Sequence, residues 1–105
     1  MHTVMWTFKV PAHTSKAQVI ETIRATAHSY KGVTGLIRKC YGITADGTSL
    51  VGIYLWENKA AADAFYTSDW VAMVTKRWAA LPPHRQEWET PMVVESAEQR
   101  LVAAE

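Results

Sequence analysis

Residues 36–56 read LIRKCYGITADGTSLVGIYLW, and the reading of this stretch decides the fold. It divides into two runs of strand character, LIRKCYGI and SLVGIYLW, separated by TADGT. Asp46-Gly47 is a strong hairpin turn signal, so two antiparallel strands joined by a loop over residues 44–49 are expected. Successive side chains of a strand alternate between faces, which puts Gly52, Tyr54 and Trp56 on one side and Ile53 and Leu55 on the other. The expectation is that Ile53 and Leu55 form core beneath helices, while Tyr54 and Trp56 look the opposite way into a cavity. A slip of one residue would exchange the two sets.

Working outward, residues 4–10 alternate, with Val4, Trp6, Phe8 and Val10 against Met5, Thr7 and Lys9, as in a half-buried strand. Trp6 and Phe8 are expected on the helix side, since Thr7 and Lys9 better suit a polar-lined cavity. Ser15 and Gln18 have capping-box spacing, and Ile20, Ile23, Ala27 and Tyr30 recur at helical spacing, so a helix is expected from Lys16 to Tyr30, stopped by Gly32. After the hairpin, Asn58 can cap an alanine-rich helix, and Ser68 can cap a second piece whose face carries Trp70, Met73, Val74, Arg77 and Trp78. Pro82 and Pro83 stop it. Residues 84–95, HRQEWETPMVVE, read as a last strand in which Gln86, Trp88 and Thr90 alternate with Arg85, Glu87 and Glu89, and Pro91 marks an edge or a strand end. Ser96 and Gln99 have capping-box spacing for a short helix in the tail.

The order β-α-β-β-α-β is the ferredoxin-like, α+β pattern: a four-stranded antiparallel sheet with helices on one face. Residues 1–95 are expected to form one such domain and 96–105 a tail. The strands are apolar or aromatic on both parities, and a bare aromatic sheet face signals a partner. A homodimer with two sheets face to face is the expected solution.

Totals narrow the function. The chain has 105 residues, a formal net charge of +1 and no dense Lys/Arg cluster, so nucleic acid is not an expected partner. No apolar run is long enough to span a bilayer, and the first residues lack the pattern of a signal peptide, so a cytoplasmic protein without membrane attachment is expected. The single Cys40 can form no internal disulfide. Among His2, His13, His28 and His84 no pair has the spacing of a helical metal site, so no metal is expected. GxSxG, GxGxxG and P-loop patterns are absent. His84, opening the last strand beside Arg85, is an acid–base candidate near neutral pH. Five tryptophans, together with Tyr41, Tyr54, Trp56, Trp88, Arg38, Lys39 and Thr7 on strands, suit an apolar pocket with a few placed polar groups for a small aromatic or polyketide-like molecule.

Residues 35–41, GLIRKCY, the hairpin, and GIYLW at 52–56 followed by the alanine-rich helix resemble the YdhR-like mono-oxygenases of the dimeric α/β-barrel superfamily, over residues 4–95. The resemblance implies oxidation of a small phenolic compound by O₂ without a cofactor, the deprotonated substrate supplying the electrons. It implies that Trp56 faces a pocket together with Gly52 and Tyr54. Substrate binding is thus expected at Thr7, Arg38, Tyr41, Gly52, Tyr54, Trp56 and Trp88, with His84 and Tyr54 as catalytic candidates. The superfamily also holds haem-degrading enzymes, whose haem-ligating His has no counterpart here: that helix carries Phe65 and Tyr66, so haem is disfavoured. Two further classes remain open, a lyase, isomerase or cyclase using His84 with Tyr41 or Tyr54, and a non-catalytic small-molecule binder.

Overall fold

The structure is a computed structural model that describes residues 1–78, 83–98 and 100–103. Strand β1 (His2–Lys9) leads into α1 (Lys16–Ala27), which tightens into a 3₁₀ turn over His28–Tyr30. Strands β2 (Leu36–Ile43) and β3 (Ser49–Trp56) follow, then α2 (Lys59–Phe65), α3 (Ser68–Trp78) and β4 (His84–Glu89). The four strands form one antiparallel sheet in the order β2-β3-β1-β4. That is the expected ferredoxin-like arrangement.

Local chemistry accounts for the boundaries. The Ser15 side chain accepts from Gln18 N–H while the Gln18 side chain accepts from Ser15 N–H, the reciprocal box that starts α1. Asn58 accepts from Ala61 N–H and starts α2. Ser68 does not cap α3 as expected: Thr67 does, its hydroxyl accepting from Trp70 N–H. In the β2–β3 turn, Gly47 takes φ 73°, a left-handed conformation open to glycine. Asp46 accepts from Thr48 N–H and from the Thr44 and Thr48 hydroxyls; these bonds, the backbone one first, hold its carboxyl down at about 2. The role read for Pro82 as a helix stop, and for Gln99 in a cap, falls outside the described residues.

The tail departs from expectation. Residues 96–98 make a single 3₁₀ turn, and β6 (Arg100–Ala103) returns antiparallel on β5 (Met92–Glu95) instead of forming a helix. Val93 and Val94 place β-branched side chains in β5, which favours a strand.

The largest correction concerns the faces of β3. Val4 pairs with Tyr54 and Trp6 with Gly52, so Val4, Trp6 and Phe8 share a face with Leu50, Gly52, Tyr54 and Trp56. This is the helix-covered face. Trp6 and Phe8 lie there as expected, but so do Tyr54 and Trp56, which are 1 % and 0 % exposed and pack with Tyr66, Phe65 and Trp70 of the helical layer. Ile53 faces the opposite, helix-free side and is 39 % exposed. Leu55 shares that side although it is buried. The strand pairing forces this outcome. Once Trp6 and Phe8 face the helices, residues directly opposite them on β3 must do so too.

Candidate functional site

Between the sheet and the helices lies an enclosed cavity lined by Tyr30, Lys39, Tyr41, Gly52, Tyr54 and Arg77, among others. Its free volume is about 20 Å³, room for one water. On β2, Lys39 pairs with Tyr54 and Tyr41 with Gly52, so both side chains of β2 point to the helix face. Tyr30, from the 3₁₀ turn after α1, and Arg77, from the last turn of α3, close it from the helical layer. Gly52 keeps the space open. A Cβ there would stand 3.1 Å from Tyr54 Cε1 and 3.7 Å from Lys39 Cε, so any larger residue would press on both.

Lys39 occupies the centre. Its Nζ sits 3.3 Å from the ring centroid of Tyr30, 4.1 Å from that of Tyr41 and 4.5 Å from that of Tyr54. No carboxylate pairs with it among the described residues. Burial, and then the charge of Arg77, lower its pKa from the usual 10.5 to about 7. The three ring faces act in the other direction, because the π-cloud attracts the ammonium form. Near neutral pH this side chain therefore holds or releases a proton readily.

Two tyrosines supply the other polar groups. The Tyr41 hydroxyl is buried and has no hydrogen-bond partner among the described residues. The neighbouring Thr26 hydroxyl is committed to the carbonyls of Thr22 and Ile23. Burial, then Tyr30, push Tyr41 up to about 12, so it is a neutral O–H with a donor to spare. Burial, followed by Tyr30, raises Tyr54 further. That removes Tyr54 as a base and leaves it as wall and donor. The cavity also adjoins an open surface cleft of about 250 Å³, lined by Ala27, Tyr30, Lys31, Gly32, Leu36, Ile37, Arg38 and Lys39. Tyr30 and Lys39 belong to both and form the partition.

Of the residues expected to bind substrate, the structure brings together Tyr41, Gly52 and Tyr54. Trp56 lies behind them. It stacks on Tyr54 with centroids 6.3 Å apart and donates its indole N–H to Tyr66 Oη at 3.0 Å, as core. Thr7, Arg38, Trp88 and His84 are on the helix-free face, with the sheet between them and the cavity. Arg38 is ion-paired there with Glu95 of β5. His84 is exposed, and its separation from Tyr41 and Tyr54 removes it as their acid–base partner. Cys40 is exposed on the same face.

Lys39 was expected among the polar groups of the pocket, but not as a substrate-binding or catalytic residue. The available signal was its parity with Tyr41 on β2. Tyr30 and Arg77 were legible as members of helical faces, but their meeting over Lys39 was not.

At the far end of the core, Arg85 on β4 is held by Asp63 at 2.9 Å and Glu87 at 3.0 Å, with its guanidinium 5.1 Å from the Tyr66 ring. The lysine of Lys59, then Arg85, hold Asp63 below its usual range; a hydrogen bond from His2 does so first for Glu87. This cluster lies against the aromatic layer at the Trp6 and Tyr66 rings. No group of His, Cys, Asp and Glu among the described residues is arranged to hold a metal. Nor, among the described residues, is any helix long and apolar enough to cross a membrane.

No protein-family model matches the chain, and no curated protein matches it in sequence. Solved structures do match its fold. A monooxygenase from the gene ActVA-Orf6 of Streptomyces coelicolor, in complex with the ligand Nanaomycin D, superposes with a TM-score of 0.65 at 19 % identity, over 85 % of this chain and 86 % of that one. A protein of Deinococcus radiodurans assigned to antibiotic biosynthesis monooxygenases gives 0.68 at 11 % identity, over 90 % and 97 %. A variant of SnoaB, a cofactor-independent oxygenase from Streptomyces nogalater, gives 0.63 at 17 % identity, over 90 % and 97 %. The chain therefore has the fold of the antibiotic biosynthesis monooxygenases. At these identities the likeness is one of fold, and the chemistry must be argued from the site.

Proposed function

We propose that the protein is a cofactor-independent mono-oxygenase of small phenolic or polyketide-like compounds, with its site at Lys39, Tyr41, Gly52 and Tyr54. The observation that carries this reading is an amine poised near neutrality beside an unpartnered hydroxyl, both inside an aromatic cage. A substrate hydroxyl transfers its proton to neutral Lys39, and the ammonium so formed pairs with the phenolate. The electron-rich ring then reduces O₂. For an anthrone, the ring CH₂ becomes a C=O and the second oxygen atom leaves as water, so O₂ is the sole oxidant. Tyr41 donates to oxygen charge as it develops, in a site from which water is largely excluded. The cavity alone holds one water, so substrate binding requires the Tyr30–Lys39 partition to move and join it to the cleft of about 250 Å³. The shared fold with named monooxygenases, one holding Nanaomycin D, supports the substrate class.

The test is oxygen uptake by metal-stripped protein on a panel of quinols and anthrones. Uptake above the uncatalysed rate, lost in Lys39→Met, is expected; no uptake with any member of the panel would overturn the assignment. The same amine also favours a second reading, proton-transfer chemistry without O₂, which turnover under anaerobic conditions would reveal.

A homodimer belongs to this proposal. Met5, Ile53 and Trp88 on the helix-free face are partly or largely exposed, and Met92 and Val94 project from the β5–β6 hairpin at 51 % and 65 % exposure. Packing two such faces together would remove this apolar surface from water. Sedimentation should find a dimer that Ile53→Asp dissociates; a monomeric wild type would refute it.

A further inference from the structure

The side chain best placed for covalent chemistry is Lys39. Its amine is enclosed by Tyr30, Tyr41 and Tyr54, faces Arg77 from α3 and Thr26 from α1, and has no carboxylate partner among the described residues. It is also reachable, because it lines the open cleft at the end of α1 as well as the inner cavity. The two linings together contribute Lys31, Arg38, Lys39 and Arg77 and, among the described residues, no acidic residue. Arg38 is engaged by Glu95, which leaves Lys31 and Arg77 to meet an incoming anion.

We propose that Lys39 is an amine nucleophile, and that the cationic cleft delivers to it a small oxo acid, which it holds as a Schiff base. The amine nitrogen adds to the carbonyl carbon to give a carbinolamine. The carbonyl oxygen then leaves as water, taking both amine hydrogens, and a C=N bond remains. Nothing is oxidised or reduced. A lysine does this when a desolvated pocket or a neighbouring cation keeps it neutral, and here burial and Arg77 both act in that sense. The unpartnered Tyr41 hydroxyl is available to donate to the departing oxygen. Lys31 at the cleft and Arg77 at the cavity supply positive charge on either side of Lys39, which favours an oxo acid over a neutral ketone.

This activity needs no O₂, so its test is independent of the oxygenase reading. Full-length protein is incubated anaerobically at pH 7 with pyruvate or with acetone, in the presence of cyanoborohydride, and labelled lysines are located by peptide mass mapping. Pyruvate should label Lys39 at least about ten-fold faster than any other lysine, because a half-neutral amine has roughly a thousand times the neutral fraction of an ordinary lysine at that pH. Pyruvate should also label it about ten-fold faster than acetone does, the equivalent of about 1.4 kcal/mol of preference. Lys39→Arg, which keeps the charge but offers no such amine, should show only the surface background. The mapping is done on wild type, so folding of the variant does not decide the result. Even labelling across all lysines, or an unlabelled Lys39, overturns the nucleophile; equal labelling by acetone overturns the oxo-acid class.

Discussion

Replacing Lys39 by methionine keeps the side chain's length and removes its charge, and the effect on stability can be worked from the structure. In the folded protein Lys39 loses its proton near 7, whereas in the unfolded chain it keeps it up to the ordinary 10.5. Between those values the unfolded chain binds more protons than the folded one, so stability rises with pH across that window. Below pH 7 the lysine is charged in both states and the fold bears the whole cost of enclosing it; above 10.5 it is neutral in both and that cost is gone. Going from pH 6 to pH 9 should relieve roughly 2.5 kcal/mol at full effect. Solvent contact at the cleft and attraction by three rings reduce this to about 1–2 kcal/mol. The lowered carboxylates of Asp46, Asp63 and Glu87 act in the acid range, and the raised Tyr41, Tyr54 and Tyr66 act at strongly alkaline pH, outside this window. The assay is urea unfolding by circular dichroism at pH 6, 7, 8 and 9 on wild type and Lys39→Met. With a slope of about 1–1.5 kcal/mol/M, the wild-type midpoint should gain about 1 M on the variant between pH 6 and pH 9. A midpoint difference that stays constant over this range would mean that Lys39 titrates as an ordinary surface lysine, and both roles given to it would fall.

Three further outcomes are expected. Tyr66→Phe removes the acceptor of the Trp56 indole N–H and leaves a buried donor unpaired, so thermal denaturation should show a loss of about 1–3 kcal/mol; an unchanged midpoint would separate the two side chains. Gly52→Val fills the cavity against Tyr54 and Lys39, so anthrone binding followed by tryptophan fluorescence should weaken at least about ten-fold, or 1.4 kcal/mol; undiminished binding would place the ligand elsewhere. His84→Ala should leave kcat/KM for oxygen uptake within about two-fold of wild type, since removing a true general base costs about 10²–10⁴-fold; such a loss would return the site to the helix-free face.

The sequence by itself determined the elements and their order. Asp46-Gly47 set the hairpin, Ser15 with Gln18 and Asn58 set helix starts, and period-two alternation marked the strands, because each signal acts within a few residues. It also determined that Gly52, Tyr54 and Trp56 share a face. Which face that was depended on the register of β1 against β3, a pairing between residues nearly fifty positions apart. Only the tertiary structure decided it, and with it the fate of Trp56 as core, of Thr7, Arg38, Trp88 and His84 as surface, and of Lys39 as the centre of the cavity. The physical reason is that alternation fixes only which side chains go together. The partner strand and the helices above it decide which side is buried, and hence which amine is drawn out of water.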